Sequence, residues 1–115
     1  MPPVKPCREF GHLTRTTRAG IRALAMQIKV GRKKRRWTQE GLANRVGCSR
    51  LTIMAIENAK PTVAIGYVLE AAHMVGLDVF GSPDGAKKRL ESAREIDAIF
   101  PSRIETYVME IDDDF

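Results

Sequence analysis

The sequence predicts an all-α fold of five helices, followed by a short C-terminal β-strand that pairs across a dimer. Three observations lead there. Aromatic residues make up only 6% of a chain that is 43% hydrophobic, so the core is aliphatic and suits close-packed helices. Apolar residues recur at spacings of three and four in five separate segments, the period of a helix with one buried face. Hydroxyl residues and a glycine stand where those segments should start and stop. At 115 residues the chain holds one domain with a real core and not two.

The opening residues 1–17, "MPPVKPCREFGHLTRTT", contain three early prolines and no periodicity, and are read as a flexible N-terminal arm. From Arg18 to Arg36 the pattern becomes helical, with Ile21, Leu24, Ala25 and Ile28 on one apolar face. This first helix runs into "GRKKRRW", which holds five consecutive cations. One or two of them suit the negative end of the helix dipole. The remainder exceed what capping requires and suit phosphate groups. A short basic run of this kind also resembles a nuclear-localisation signal, a weak reading.

Thr38 offers an N-cap oxygen and Glu40 places a carboxylate in the first turn of a second helix. Leu42, Ala43 and Val46 form its inward face over about two turns. Gly47 follows the last periodic residue and can take the left-handed conformation that stops a helix. Ser49 is the next N-cap, with Cys48 and Ile53 spaced as a hydrophobic staple around it. A third helix then extends from Arg50 to Asn58. Its wheel puts Ile53 and Ile56 on the core side with Glu57, and Leu51, Met54, Ala55 and Asn58 opposite, with Arg50 at the N-terminal edge.

A fourth helix is expected over residues 64–75, with Ile65, Val68, Leu69, Ala72 and Val75 on one face. "GLDVFGSPDG" is a loop rich in helix breakers. "AKKRLESAREIDAIF" reads as a fifth helix, with Leu90, Ala93, Ile96 or Asp97, and Phe100 at helical spacing, stopped by Pro101. In "RIETYVMEI" strand-forming residues alternate. A lone strand needs a partner, and the same strand of a second copy supplies one; the alternative is a frayed tail. The organisation expected is therefore an arm (1–17), a helical domain (18–80), and a C-terminal helix, strand and acidic tail (81–115) for dimerisation or partner binding.

Charge is divided unevenly. Residues 1–60 hold 14 Lys/Arg against 3 Asp/Glu, and residues 61–115 hold 5 against 11, giving +11 and −6 within the total of +5. The basic half is a candidate for a polyanion such as nucleic acid, with a solvated basic face as the plainer alternative. Cys7 and Cys48 are too few and too far apart for a disulfide framework, which fits a reducing, cytoplasmic setting. No segment approaches the ~20 apolar residues of a membrane span. His12 and His73 are isolated and Cys7 has no partner pair at ligand spacing, so neither metal sites, cofactors nor catalysis are expected. Single-stranded RNA would call for exposed stacking aromatics, and these are scattered.

An arginine can donate twice to guanine and an aliphatic side chain can pack on the thymine methyl, so a helix exposing Arg50, Leu51 and Met54 suits the major groove. Residues 28–77 resemble a lambda-repressor-like (XRE-family) helix-turn-helix domain. The resemblance lies in Thr38-Gln39, Leu42-Ala43, the Gly47 turn, Ser49-Arg50, Thr52-Ile53 and Ile56-Glu57. It implies five helices, a homodimer and a palindromic operator on double-stranded DNA. It places Gln39 at a backbone-contacting helix start, Arg50, Leu51 and Met54 at base-facing positions, and Ser49 and Thr52 near phosphates. With Thr38, Lys33, Lys34 and Lys60 these form the candidate DNA-binding set of a transcriptional regulator, most simply a repressor. Met54 stands where the family usually has a small polar residue, and Ala59 where it usually has glycine. A weaker resemblance links the C-terminal helix, strand and "DDDF" to antitoxins that hold HipA-like kinase toxins and repress their own operons.

Overall fold

A computed structural model describes residues 11–103. All regular structure among them is helical: α1 (Arg15–Lys34), α2 (Gln39–Val46), α3 (Arg50–Glu57), α4 (Ile65–Met74) and α5 (Gly85–Asp97). The strand expected after residue 103 lies outside the described residues. The chain divides into two compact units at Val79–Phe80.

α1 begins at Arg15, three residues before the periodicity marks it, so residues 15–17 of the expected arm are helical. The reason is a cap: Thr14 is extended and its Oγ1 accepts the Thr17 amide at 3.1 Å, relieving one of the orphan donors at the helix start. The starts of α2 and α3 follow the same chemistry. Thr38 Oγ1 accepts the Gly41 amide at 2.9 Å, and Ser49 Oγ accepts the Thr52 amide at 3.2 Å. Gly47, at φ 87°, ends α2 in the left-handed region as expected.

α2 packs on α3 and α4, and α1 crosses against α3 and α4. Ile28, Leu42 and Ile53 are fully buried at the centre, with Ala43, Ile56, Ala71, Ala72 and Val75 around them. Small residues let the elements approach closely. A Cβ at Gly31 would fall 2.8 Å from Val75 Cβ, so glycine there sets the distance between α1 and the end of α4. Ile65, expected on the inward face of α4, is 73% exposed. Of the expected face, Ala72 and Val75 are buried and Val68 and Leu69 half-buried, and Ala71 is buried beside them.

α1, α3 and α4 end in one motif. In each, the amide two residues past the C-cap returns to the carbonyl five positions back: Trp37 to Arg32, Lys60 to Ala55, and Leu77 to Ala72. The motif needs a left-handed residue just after the C-cap. Gly76 fills it after α4, but Arg36 (φ 58°) and Ala59 (φ 59°) fill it after α1 and α3. The chain exit after α3 thus keeps the path a glycine would take, against a steric cost of about 1–2 kcal/mol for an L side chain. Ala59→Gly is expected to raise stability by roughly 1 kcal/mol, some of the relief being offset by the greater entropy of glycine in the unfolded chain. A thermal melt would register this as a Tm increase of about 4–8 °C.

In the second unit, Phe80 folds back onto the start of α5. The Arg89 guanidinium lies 5.6 Å from its ring centroid, and a side chain at position 85 would strike the Phe80 carbonyl. Leu90, Ile96 and Phe100 are exposed at 49%, 57% and 59%, and Ile99 at 79%. α5 stops at Asp97, so Phe100 falls in the turn beyond it and not on the helix.

Candidate nucleic-acid interface

α2 and α3, each of eight residues, are joined by the three-residue turn Gly47-Cys48-Ser49. Helices this short do not persist alone in water, so their geometry comes from packing. Ile53 (0% exposed) and Ile56 (4%) anchor α3 from within. Cys48 is half-buried against the same core, and burial pushes its thiol up from the ordinary value. Leu51, on the opposite side of α3, is 72% exposed, and Arg50 is exposed at its N-terminal edge. Met54 is half-buried, placed lower on the flank than a fully outward residue.

A buried ionic cluster fixes the far end of α3. The Arg32 guanidinium reaches from α1 and donates Nε to Glu57 Oε2 at 2.6 Å and Nη2 to Glu57 Oε1 at 3.0 Å. Its Nη1 donates to the Trp37 carbonyl at 2.8 Å, and Gln39 Nε2 donates to Glu57 Oε1 at 3.2 Å. The two charged side chains are 10% and 3% exposed. The Glu57 carboxylate therefore ties the last residue of α3 to α1 and to the first residue of α2, and Arg32 adds the turn after α1. A fork-to-fork pair constrains orientation as well as distance. Trp37, half-buried beside this cluster, is covered by Arg45, whose guanidinium lies 4.0 Å from the ring centroid, and by Arg35 at 5.7 Å.

The basic run thus separates into different tasks. Arg32 belongs to the interior and Arg35 to the Trp37 surface, while Lys33 and Lys34 are exposed in the last turn of α1. Lys60 is exposed three residues after the end of α3. Thr38 and Ser49 spend their hydroxyl oxygens on caps, and the Thr52 hydroxyl lies 3.1 Å from that of Ser49. Gln39, expected to face outward at the start of α2, is half-buried and turned back onto Glu57. Ser49 and Thr52 are in direct contact, and Gln39 meets α3 through Glu57. Arg50, Leu51 and the three lysines are exposed, as are Thr38 and Ser49, whose hydroxyls accept the cap amides.

The sequence reading missed the roles of Arg32, Glu57 and Arg45. For Arg32 a signal was present: it continues the inward column of Ala25 and Ile28 at helical spacing, although it sits at the head of a cationic run. Among the described residues no group of three or more His, Cys, Asp or Glu side chains comes together, and no helix is long and apolar enough to cross a membrane. Comparison with protein-family models, with curated proteins and with solved structures finds no match.

Proposed function

We propose that the chain is a sequence-specific regulator of double-stranded DNA, acting as a homodimer on a palindromic operator, with α2–turn–α3 as its helix-turn-helix and α3 as the reading helix. The observation that carries this reading is the division of α3. Its inward side is locked by Ile53, Ile56 and Glu57, while Arg50 and Leu51 stand exposed at its N-terminal end. A singly exposed leucine is ordinary on a protein surface; what supports the reading is its place beside the exposed Arg50 at the start of the second of two short helices joined by a three-residue turn. Base edges accept both: a bidentate donor for guanine and an apolar contact for the thymine methyl. Lys33, Lys34 and Lys60 flank the element and suit phosphates, which set register without reading sequence. Exposed Leu90, Ile96 and Phe100 on and after α5 support self-association, or a protein partner such as a kinase toxin held by an antitoxin.

Selection of bound duplexes from a random library at near-physiological salt tests the reading. A palindromic consensus with half-sites about one helical turn apart, ~34–36 Å, is the expected result. Recovery of no consensus would leave only phosphate attraction and would shift the function to protein binding.

A further inference from the structure

α1 carries a second apolar face. Besides the inward residues Ile21, Leu24, Ala25 and Ile28, the residues Ala19, Ala23, Met26 and Val30 recur at spacings of four, three and four. At 3.6 residues per turn they gather on the side of the helix opposite the core. All four are exposed, Met26 at 57% and Val30 at 41%. Towards the end of α1 the stripe opens into a groove of about 480 Å³. Met26 and Val30 form one wall, Val75, Gly76 and Leu77 after α4 form the other, and Lys34 and Arg35 stand at the rim. The close approach permitted by Gly31 makes its floor. Small side chains at 19 and 23 followed by a groove are the relief that a second helix can lie along.

Charge narrows what that helix can be. Residues 15–34 contain no Asp or Glu, and Arg15, Arg22, Lys29 and Lys33 follow the same flank of the stripe. A second copy of α1 would bring two cationic ridges together, which opposes pairing. A helix with an apolar stripe and carboxylates beside it satisfies both surfaces at once. We propose that this outward face of α1 is the docking site for an acidic amphipathic helix of a different protein. Its aliphatic residues enter the groove between Val30 and Leu77, and its carboxylates lie along Arg22, Lys29 and Lys33. The proposal rests on α1 and the end of α4 and does not depend on the DNA-binding reading.

The test uses the full chain and a fluorescent synthetic helix of about 18 residues, with leucine at i, i+3, i+4 and i+7 positions and glutamate on the flanks. Anisotropy should show saturable binding, at least about tenfold tighter than for a scrambled peptide of equal composition. Met26→Asp should weaken it by at least about tenfold with Tm unchanged, and Arg22→Glu should weaken it and lessen its salt dependence. Four results would overturn the proposal. Equal binding of the scrambled peptide would reduce the surface to a charge effect. Competition by random-sequence duplex DNA that persists when Lys33 and Lys34 are both changed to alanine would make it a phosphate surface. A dimer-to-monomer shift of Met26→Asp in sedimentation would assign it to a second copy. Tighter binding of a peptide of residues 104–115, which holds five carboxylates and no cation, would assign it to the chain's own tail.

Discussion

Glu57→Ala is expected to lower the unfolding free energy by about 3–5 kcal/mol, the cost of leaving a buried charge without its counterion. The guanidinium of Arg32 would remain in a site where its side chain is 10% exposed, with Nε and Nη2 deprived of acceptors and only the Trp37 carbonyl left to Nη1. Gln39 would lose its acceptor as well. Against a total stability on the order of 5–15 kcal/mol this is a large fraction, and each kcal/mol moves Tm by about 4–8 °C in a domain of this size. Glu57→Gln, which keeps the shape and one acceptor oxygen, should lose less. The double change Arg32→Met with Glu57→Leu should recover much of the loss, because a buried pair contributes little over an apolar pair of similar volume while half a pair is costly. Urea and thermal melts of the unaltered chain, Arg32→Met, Glu57→Leu and the double change give the cycle. A loss below about 1 kcal/mol for Glu57→Ala would mean that water reaches the site and the pair does not clamp α3.

Arg50→Ala is expected to cost about 1–3 kcal/mol in binding to the selected operator and to relax preference at one base pair. Arg50 is the first residue of α3 and is exposed, so the melting temperature should stay where it is. Removal of Lys33 and Lys34 provides the contrast: all sequences should weaken together, and the slope of log affinity against log salt should fall by about one for each phosphate no longer neutralised. Titrations of cognate and single-mismatch duplexes at several salt concentrations separate the two outcomes. Equal weakening of every duplex by Arg50→Ala would remove the arginine from the base-reading role. Gln39 does not belong beside the lysines in this experiment. Its side chain is committed to Glu57, so Gln39→Ala would disturb the clamp before it disturbed any phosphate.

Much of the helical frame was legible because short-range chemistry determines it. Thr38 and Ser49 have few other reasons to precede apolar periodic segments, and Gly47 marks the one stop in α2–α3 that a glycine serves. The outward position of Leu51 followed from helical period alone. What escaped the reading depends on distance or on strain. Arg32 and Glu57 are 25 residues apart, so although helical spacing from Ala25 and Ile28 marks Arg32 as inward, its partner is not legible locally. The left-handed residues at Arg36 and Ala59 were invisible for another reason: tertiary packing holds them where local preference would choose glycine. Ile65 shows the limit of a wheel, which gives direction around one helix but not which neighbours stand beside it.

The two sides of α3 also bear on how such a chain can change over generations. Folding information in this helix is concentrated at Ile53, Ile56 and Glu57, and the exposed positions 50 and 51 contribute little to it. Substitutions on the outward side therefore leave the fold's stability nearly untouched. New surface chemistries can accumulate there one residue at a time without passing through unfolded intermediates. The ionic clamp makes the helix rigid and, by the same arrangement, makes its outer surface evolvable.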